Sequence, residues 1–273
     1  MLQTVSERSE PSSITSRRNP LVARFRDAAE RGSNGLMLLD GAHLLSEALD
    51  AGVEVTDVAI ANGAAERPEL SALRRRVPHA VLASDIVIAA MSPARSPSGV
   101  VALARRPVEG TPGMFSRGTP LVVIAVDVQD PGNFGALLRS AEAGGATGVI
   151  ATESGADPFG WKALRGAMGS AFRLPVARVS DGAAAVALAR SHGLRVAAAI
   201  GRGGTPMSDA DLTGPLALVV GGEGSGLLEA LVTAADARIT IPMTPPVESL
   251  NVSVAAALLV FEARRQRASH RDR

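Results

Sequence analysis

The run from Leu121 to Val128 is apolar except for Asp127, and Asp130-Pro131-Gly132-Asn133 follows it after Gln129. After those residues the spacing turns helical, with Phe134, Leu137, Leu138 and Ala141 on one stripe, and Gly144-Gly145 closes the helix. An uninterrupted apolar strand must be covered on both faces, and a strand feeding a helix is the repeating unit of a parallel sheet. The same rhythm continues through the second half. It predicts strands over Val149–Thr152, Arg195–Ile200, Leu216–Val220 and Arg238–Ile241, with helices over Trp161–Met168, Gly182–Ser191, Leu227–Ala234 and Asn251 to about Arg267. Ligands of such a sheet bind at the carboxyl ends of its strands.

The first half alternates on a smaller scale. Asn19-Pro20 reads as a helix entry, with Pro in the first turn. Short strands are expected at Leu36–Leu39, Val55–Ala61, Ala80–Leu82 and Val100–Ala104, with helices at Ala42–Ala51, Leu70–Arg76 and Ser84–Met91 between them. The expected organisation is a polar, disordered 1–12, an α/β domain over 13–105, a Gly- and Pro-rich linker over 106–119, and a larger α/β domain over 120–273.

Composition narrows the function classes. With 46% hydrophobic and 20% charged residues the chain can bury a core, which excludes wholesale disorder. It has no cysteine, and its four histidines are far apart, so no metal site is expected. No apolar stretch is long enough for a membrane span and no signal-peptide core is visible, so the expectation is a soluble, cytoplasmic protein without membrane partners. The net charge of +1 makes no case for nucleic acid by itself. The basic residues are nonetheless all arginine except Lys162, with clusters around Arg17 and Arg18, at Arg74 to Arg76, and from Arg264 to the C-terminus. Such clusters suit phosphate, and they also suit solvated helix faces. Without tyrosine and with 3% aromatics, a base-stacking platform is not expected.

Three loops could carry chemistry. The first runs from Asp127 to Gly135, where Asn133 is placed to cap the following helix. Arg139 lies off the apolar stripe of that helix, beside Gly135 and Ala136. It either faces a ligand or pairs with Glu142 on the surface. The second is Gly221-Gly222-Glu223-Gly224-Ser225-Gly226-Leu227, with four glycines in six positions. These mean tight turns or close approach to a ligand, but Leu227 breaks the dinucleotide-binding spacing. The third runs from Ile241-Pro242-Met243 to Ser249-Leu250-Asn251 and enters a helix that is apolar nearly all round. Such a helix is buried in its own core or against a second subunit.

Together these residues resemble the SpoU (TrmH) family of ribose 2′-O-methyltransferases in the SPOUT superfamily. One family motif is similar to Asp130-Pro131-x-Asn133-x-Gly135-x-x-x-Arg139, a second to Gly221-x-Glu223-x-x-Gly226-Leu227, and a third to Ile241-Pro242-Met243 with Ser249-Leu250-Asn251-Val252-Ser253. Arg165-x-x-Met168-Gly169-x-x-Phe172-x-Leu174-Pro175 also looks like the family. The first half is more loosely similar to the family's ribosomal-protein-like substrate-binding domain, through Ile14-x-Ser16-x-x-Asn19-Pro20 and Leu38-Leu39-Asp40-Gly41. Asp40 stands where Glu is commoner, and Ser98 where Gln is often seen.

The resemblance implies an α/β fold with a trefoil-knotted parallel sheet, an obligate homodimer, and S-adenosylmethionine as methyl donor. It places the donor against Ile200, Gly201, Gly221, Gly222, Glu223, Gly226, Ile241, Pro242, Met243, Ser249, Leu250 and Asn251. It makes Asn133, Arg139, Glu223, Ser249 and Asn251 the functional polar positions, and Arg17, Arg18, Arg139 and Arg165 the RNA contacts. Family accounts cast the arginine matching Arg139 as a base, whereas a group that stays protonated is better suited to anchor phosphate and stabilise alkoxide charge. The implied activity is methylation of a ribose 2′-hydroxyl in RNA, with large-subunit ribosomal RNA favoured over tRNA. An antibiotic-resistance ribosomal RNA methyltransferase is compatible with the same motifs. Two rivals stay open at this level: a class I Rossmann enzyme built on the glycine loop, and a non-catalytic RNA-binding protein.

Overall fold

The computed structural model describes residues 13–32, 35–222 and 226–271, so the expectation for 1–12 lies outside the described residues. The chain divides into two compact units, Met1–Arg106 and Pro107–Arg273.

In the first unit, α1 (Pro20–Arg31) starts as its sequence requires. Pro20 takes the first turn, and the Asn19 side chain accepts from the Leu21 amide at 2.9 Å. The unit continues through β1 (Leu36–Asp40), α2 (Ala42–Asp50), β2 (Val55–Ala61), α3 (Pro68–Arg76), β3 (Val81–Ala83), α4 (Asp85–Met91) and β4 (Val100–Arg105). The sheet order is β1-β4-β2-β3, with β4 antiparallel to both neighbours and β2 parallel to β3. Asp40 ends β1, and its carboxylate accepts from the Ser98 hydroxyl at 3.2 Å and from that of Ser92. The two positions that depart from the family pattern therefore bond to each other.

The second unit contains β5 (Leu121–Val126), α5 (Pro131–Ala143), β6 (Gly148–Thr152), α6 (Trp161–Ala167), α7 (Ser170–Arg173), β7 (Val176–Val179), α8 (Gly182–Ser191), β8 (Arg195–Ala199), β9 (Thr205–Pro206), β10 (Leu216–Gly221), α9 (Glu229–Ala234), β11 (Ala237–Thr240) and α10 (Val252–Arg271). Its seven strands run in the order β7-β6-β5-β10-β8-β11-β9, every pair parallel. All six residues of β5 are buried, as a strand covered on both faces requires. On one side α8 packs Ala185, Val186 and Ala189 against Val122, Ile124 and Val196, while α10 lies against α5 and β10. Strands β7 and β9 are not anticipated from sequence because they are short and lack an apolar run. Among the described residues, no helix is long and apolar enough to cross a membrane.

The Gly- and Pro-rich stretch before β5 does not behave as a free spacer. Met114 is fully buried in the core of the second unit. Gly148 makes room for it, since a Cβ there would lie 2.4 Å from the Met114 Cγ. Phe115 stacks on His192 with ring centroids 3.9 Å apart. A single anchoring methionine leaves no periodic signal, so composition alone does not reveal the docking.

Candidate active site

The site begins where β5 ends. Asp127 adopts a left-handed backbone, with φ of 53°, which is uncommon for a residue with a Cβ. Hydrogen bonds hold it there: its amide donates to the Thr152 hydroxyl at 2.8 Å, and its carboxylate accepts from the hydroxyls of Thr152, at 2.8 Å, and Ser154. The chain then enters α5, and Asp130, not Asn133, is the cap. Its carboxylate accepts from the Asn133 amide at 2.7 Å, with Pro131 at the first helical position. The helix thus starts one turn earlier than the apolar stripe indicates. Asn133 sits inside the first turn, and its Oδ1 accepts from the Asn251 side-chain amide at 2.9 Å.

Asn251 is fixed by its own helix. Its Oδ1 accepts from the amide and hydroxyl of Ser253, at 2.9 and 2.6 Å, and so caps α10. The oxygen faces the helix amides, which turns the nitrogen toward Asn133. One hydrogen bond therefore ties the first loop to the third.

The second loop is held to the first by glycine. The Gly222 amide donates to the Val126 carbonyl at 2.8 Å, and a Cβ on Gly222 would fall 2.1 Å from the Asp127 carbonyl oxygen. A Cβ on Gly221 would lie 2.5 Å from the Gly226 carbonyl carbon, so the backbone at Gly226 lies directly against Gly221. These close backbone approaches, rather than a dinucleotide turn, are what the glycines serve. Glu223 lies outside the described residues.

Between the carboxyl ends of β8, β10 and β11 and the start of α10 is a cavity of about 530 Å³. Of the residues expected at the methyl donor, Ile200, Gly201, Gly221, Gly222, Gly226, Ile241, Met243, Ser249, Leu250 and Asn251 line it, and Pro242 does not. The wall also includes Ala199, Val220, Leu227, Ile239, Val252 and Ala255. Leu227 and Val252 stand in the second and third motifs, whereas Ala199, Val220, Ile239 and Ala255 read in sequence as ordinary strand or helix apolar residues; their position near the strand ends and loops was the available signal. No described lining residue is titratable, so recognition here relies on apolar walls and backbone polar groups.

The arginines lie elsewhere. Arg139 is exposed on α5, does not line the cavity, and has no hydrogen-bonding or ionic partner among the described residues. The surface pair with Glu142 does not form, because Glu142 is held by Arg173, with Nε to Oε1 at 2.7 Å and Nη2 to Oε2 at 3.0 Å. Gly135, one turn before Arg139, is covered by α6, and a Cβ there would lie 2.2 Å from the Ala163 carbonyl oxygen. Arg165 is exposed on α6, its guanidinium 5.9 Å from the Trp161 ring. Arg17 and Arg18 are exposed in the first unit, just ahead of the α1 cap.

Residues 120–261 match the profile of the SpoU rRNA methylase family, and residues 11–117 match that of the thiostrepton-resistance methylase N terminus. The chain belongs to the SpoU rRNA methylase family. An uncharacterized tRNA/rRNA methyltransferase of Synechocystis is 33% identical over 94% of this chain and 95% of its own length. The 23S rRNA (guanosine(2553)-2′-O)-methyltransferase RlmP of Bacillus subtilis is 32% identical over 86% of this chain and 91% of its own. Among solved structures, the SpoU methyltransferase AviRb of Streptomyces viridochromogenes, in complex with the cofactor AdoMet, superposes with a TM-score of 0.83 at 28% identity, covering 92% of this chain and 99% of that one. The likeness to these three proteins spans both units.

Proposed function

We propose that this chain transfers a methyl group from S-adenosylmethionine to a ribose 2′-hydroxyl of RNA, with large-subunit ribosomal RNA as substrate. The observation that carries the reading is the cavity at the carboxyl edge of the parallel sheet, built from the second and third motif loops and tied to the first through Asn251 and Asn133. A ribosomal RNA substrate is supported by the RlmP likeness, which extends through the first unit. The N-terminal match favours a second reading, a ribosomal RNA methyltransferase that confers antibiotic resistance.

The residues present fit the donor. The cavity is of small-ligand size, with apolar Ile200, Leu227, Ile241 and Leu250 for an adenosine and backbone amides and carbonyls from three loops for its polar edge. When bound, S-adenosylmethionine supplies a methyl already activated on a sulfonium. The chain is left with positioning, exclusion of water and charge stabilisation. Asn133 and Asn251 fix the wall between the first and third loops, and Ser249 lines it. A guanidinium suits a fixed positive charge rather than a base, so the part of Arg139 is to hold RNA phosphate and stabilise charge developing on the attacking oxygen. Arg17, Arg18 and Arg165 are further RNA contacts, each exposed with its charge in solvent.

The active species in this reading is a homodimer. Val254, Leu258 and Phe261 form an apolar stripe on α10, 47%, 38% and 47% exposed in the single chain, which a second copy would cover.

The test is transfer of tritiated methyl to unmodified transcripts of large-subunit ribosomal RNA and tRNA, followed by mapping of the methylated ribose. Label on a 2′-oxygen of the ribosomal transcript is expected, and it is expected to vanish with Arg139→Ala while donor binding persists. Label on tRNA alone, or on a base, would overturn the assignment.

A further inference from the structure

Glu142 stands three residues beyond Arg139 on α5, the spacing at which a carboxylate and a guanidinium on one helix meet. That pair would consume the exposed positive charge of Arg139. It is absent because Arg173, on α7, holds the Glu142 carboxylate with two parallel bonds of 2.7 and 3.0 Å. Ser170, at the start of α7, donates a further hydrogen bond. Partial burial pushes the Glu142 carboxyl up, but the bonds from Arg173 and Ser170 and the Arg173 charge outweigh it. The group stays below its ordinary value and is ionised at neutral pH. A bidentate fork outcompetes a single exposed pair within one helix. The local sum of charge is the same in either pairing; what differs is which guanidinium carries the surplus.

We infer that Arg173 is a positioning residue for RNA binding: by holding Glu142 it keeps the charge of Arg139 unneutralised and available to RNA phosphate. The inference rests on Arg139 facing RNA, as in the function proposed above.

Four variants test it, Arg173→Ala, Glu142→Gln, their combination, and Arg139→Ala, assayed by methyl transfer to an unmodified large-subunit ribosomal RNA transcript with melting temperatures recorded for each. In Arg173→Ala, Glu142 turns to Arg139, KM for RNA is expected to rise about three- to tenfold, kcat to fall with the charge that Arg139 supplies, and donor affinity to stay within about twofold. Glu142→Gln alone is expected to leave KM at or below that of the parent. The double variant is expected to return to within about twofold of the parent, because no carboxylate remains to mask Arg139. A mere clip between α5 and α7 gives the opposite pattern: Glu142→Gln would be as harmful as Arg173→Ala, and the double variant no better. Either result overturns the inference. If Arg139→Ala alone keeps normal turnover, the role assigned to Arg139 fails instead, and that variant reads it independently of the Arg173 series.

Discussion

The side-chain amide of Asn251 donates to Oδ1 of Asn133 at 2.9 Å, across 118 positions of sequence. Its direction follows from helix capping, since the Asn251 oxygen is occupied by the first amides of α10. The residue thus stabilises a helix and joins two loops at once, whereas Asn133 contributes its oxygen to the join and leaves the α10 cap alone.

That asymmetry separates two variants. Asn133→Ala is expected to lower methyl transfer about tenfold or more while leaving the α10 cap intact. Asn251→Ala should lose comparable activity and a further ~1 kcal/mol of stability from the missing cap. Urea unfolding beside steady-state kinetics reads both quantities. Full activity in Asn133→Ala would mean that the bridge does not shape the site.

Gly135 is where α5 and α6 touch, with no room for a methyl group between the helix and the Ala163 carbonyl. Gly135→Ala should cost about 3 kcal/mol, at the upper end for overpacking, because backbone rather than a flexible side chain must move. The expected signature is a lower urea midpoint with an unchanged slope. A variant as stable as the parent would contradict this packing.

How much of this was readable in advance divides along physical lines. The parallel sheet was legible because runs such as Leu121–Val126 and Leu216–Val220 are buried on both faces and leave no room for polar residues. The cavity was legible because the glycine loop and the Ser249-Leu250-Asn251 segment both follow strands of one sheet. What escaped was choice between equivalent local partners. Asp130 and Asn133 can each cap a helix, and only the distant amide of Asn251 shows why Asn133 is not used for it. Glu142 suits Arg139 by spacing, yet Arg173, 31 positions away, takes it. Met114 lies in a stretch with no periodicity, and its burial depends on space that Gly148 leaves.

The stripe on α10 separates a one-chain from a two-chain site. Val252, Ala256, Leu259, Val260 and Ala263 face the unit's own core, whereas Val254, Leu258 and Phe261 do not. In the proposed dimer, Leu258→Asp combined with Phe261→Asp should produce monomers with reduced turnover, because a carboxylate cannot be covered by an apolar partner. Sedimentation velocity decides it. A parent protein that sediments as a monomer at micromolar concentration removes the dimer from the reading.

Arg267 shows that part of the C-terminal arginine cluster is structural rather than a solvated face. Its guanidinium donates to the carbonyls of Leu212 at 3.1 Å, Thr119 at 2.8 Å, Pro120 at 3.2 Å and Gly214 at 2.6 Å. It therefore fastens α10 to the entries of both β5 and β10, at the end of the sheet away from the cavity. No carboxylate could take its place, since all four partners are acceptors. Removing the fork takes this donor from the part-buried Leu212 and Gly214 carbonyls, while the Pro120 carbonyl keeps the Leu216 amide, so Arg267→Ala should lose about 3 kcal/mol. Arg267→Lys should recover only part of this, because one ammonium cannot reach all four oxygens with the reach of a planar fork. Hydrogen exchange should quicken in the segments around Leu121 and Leu216, while donor affinity, set at the opposite edge, changes less than twofold. Unchanged stability in Arg267→Ala would show that water satisfies these carbonyls as well as the guanidinium does.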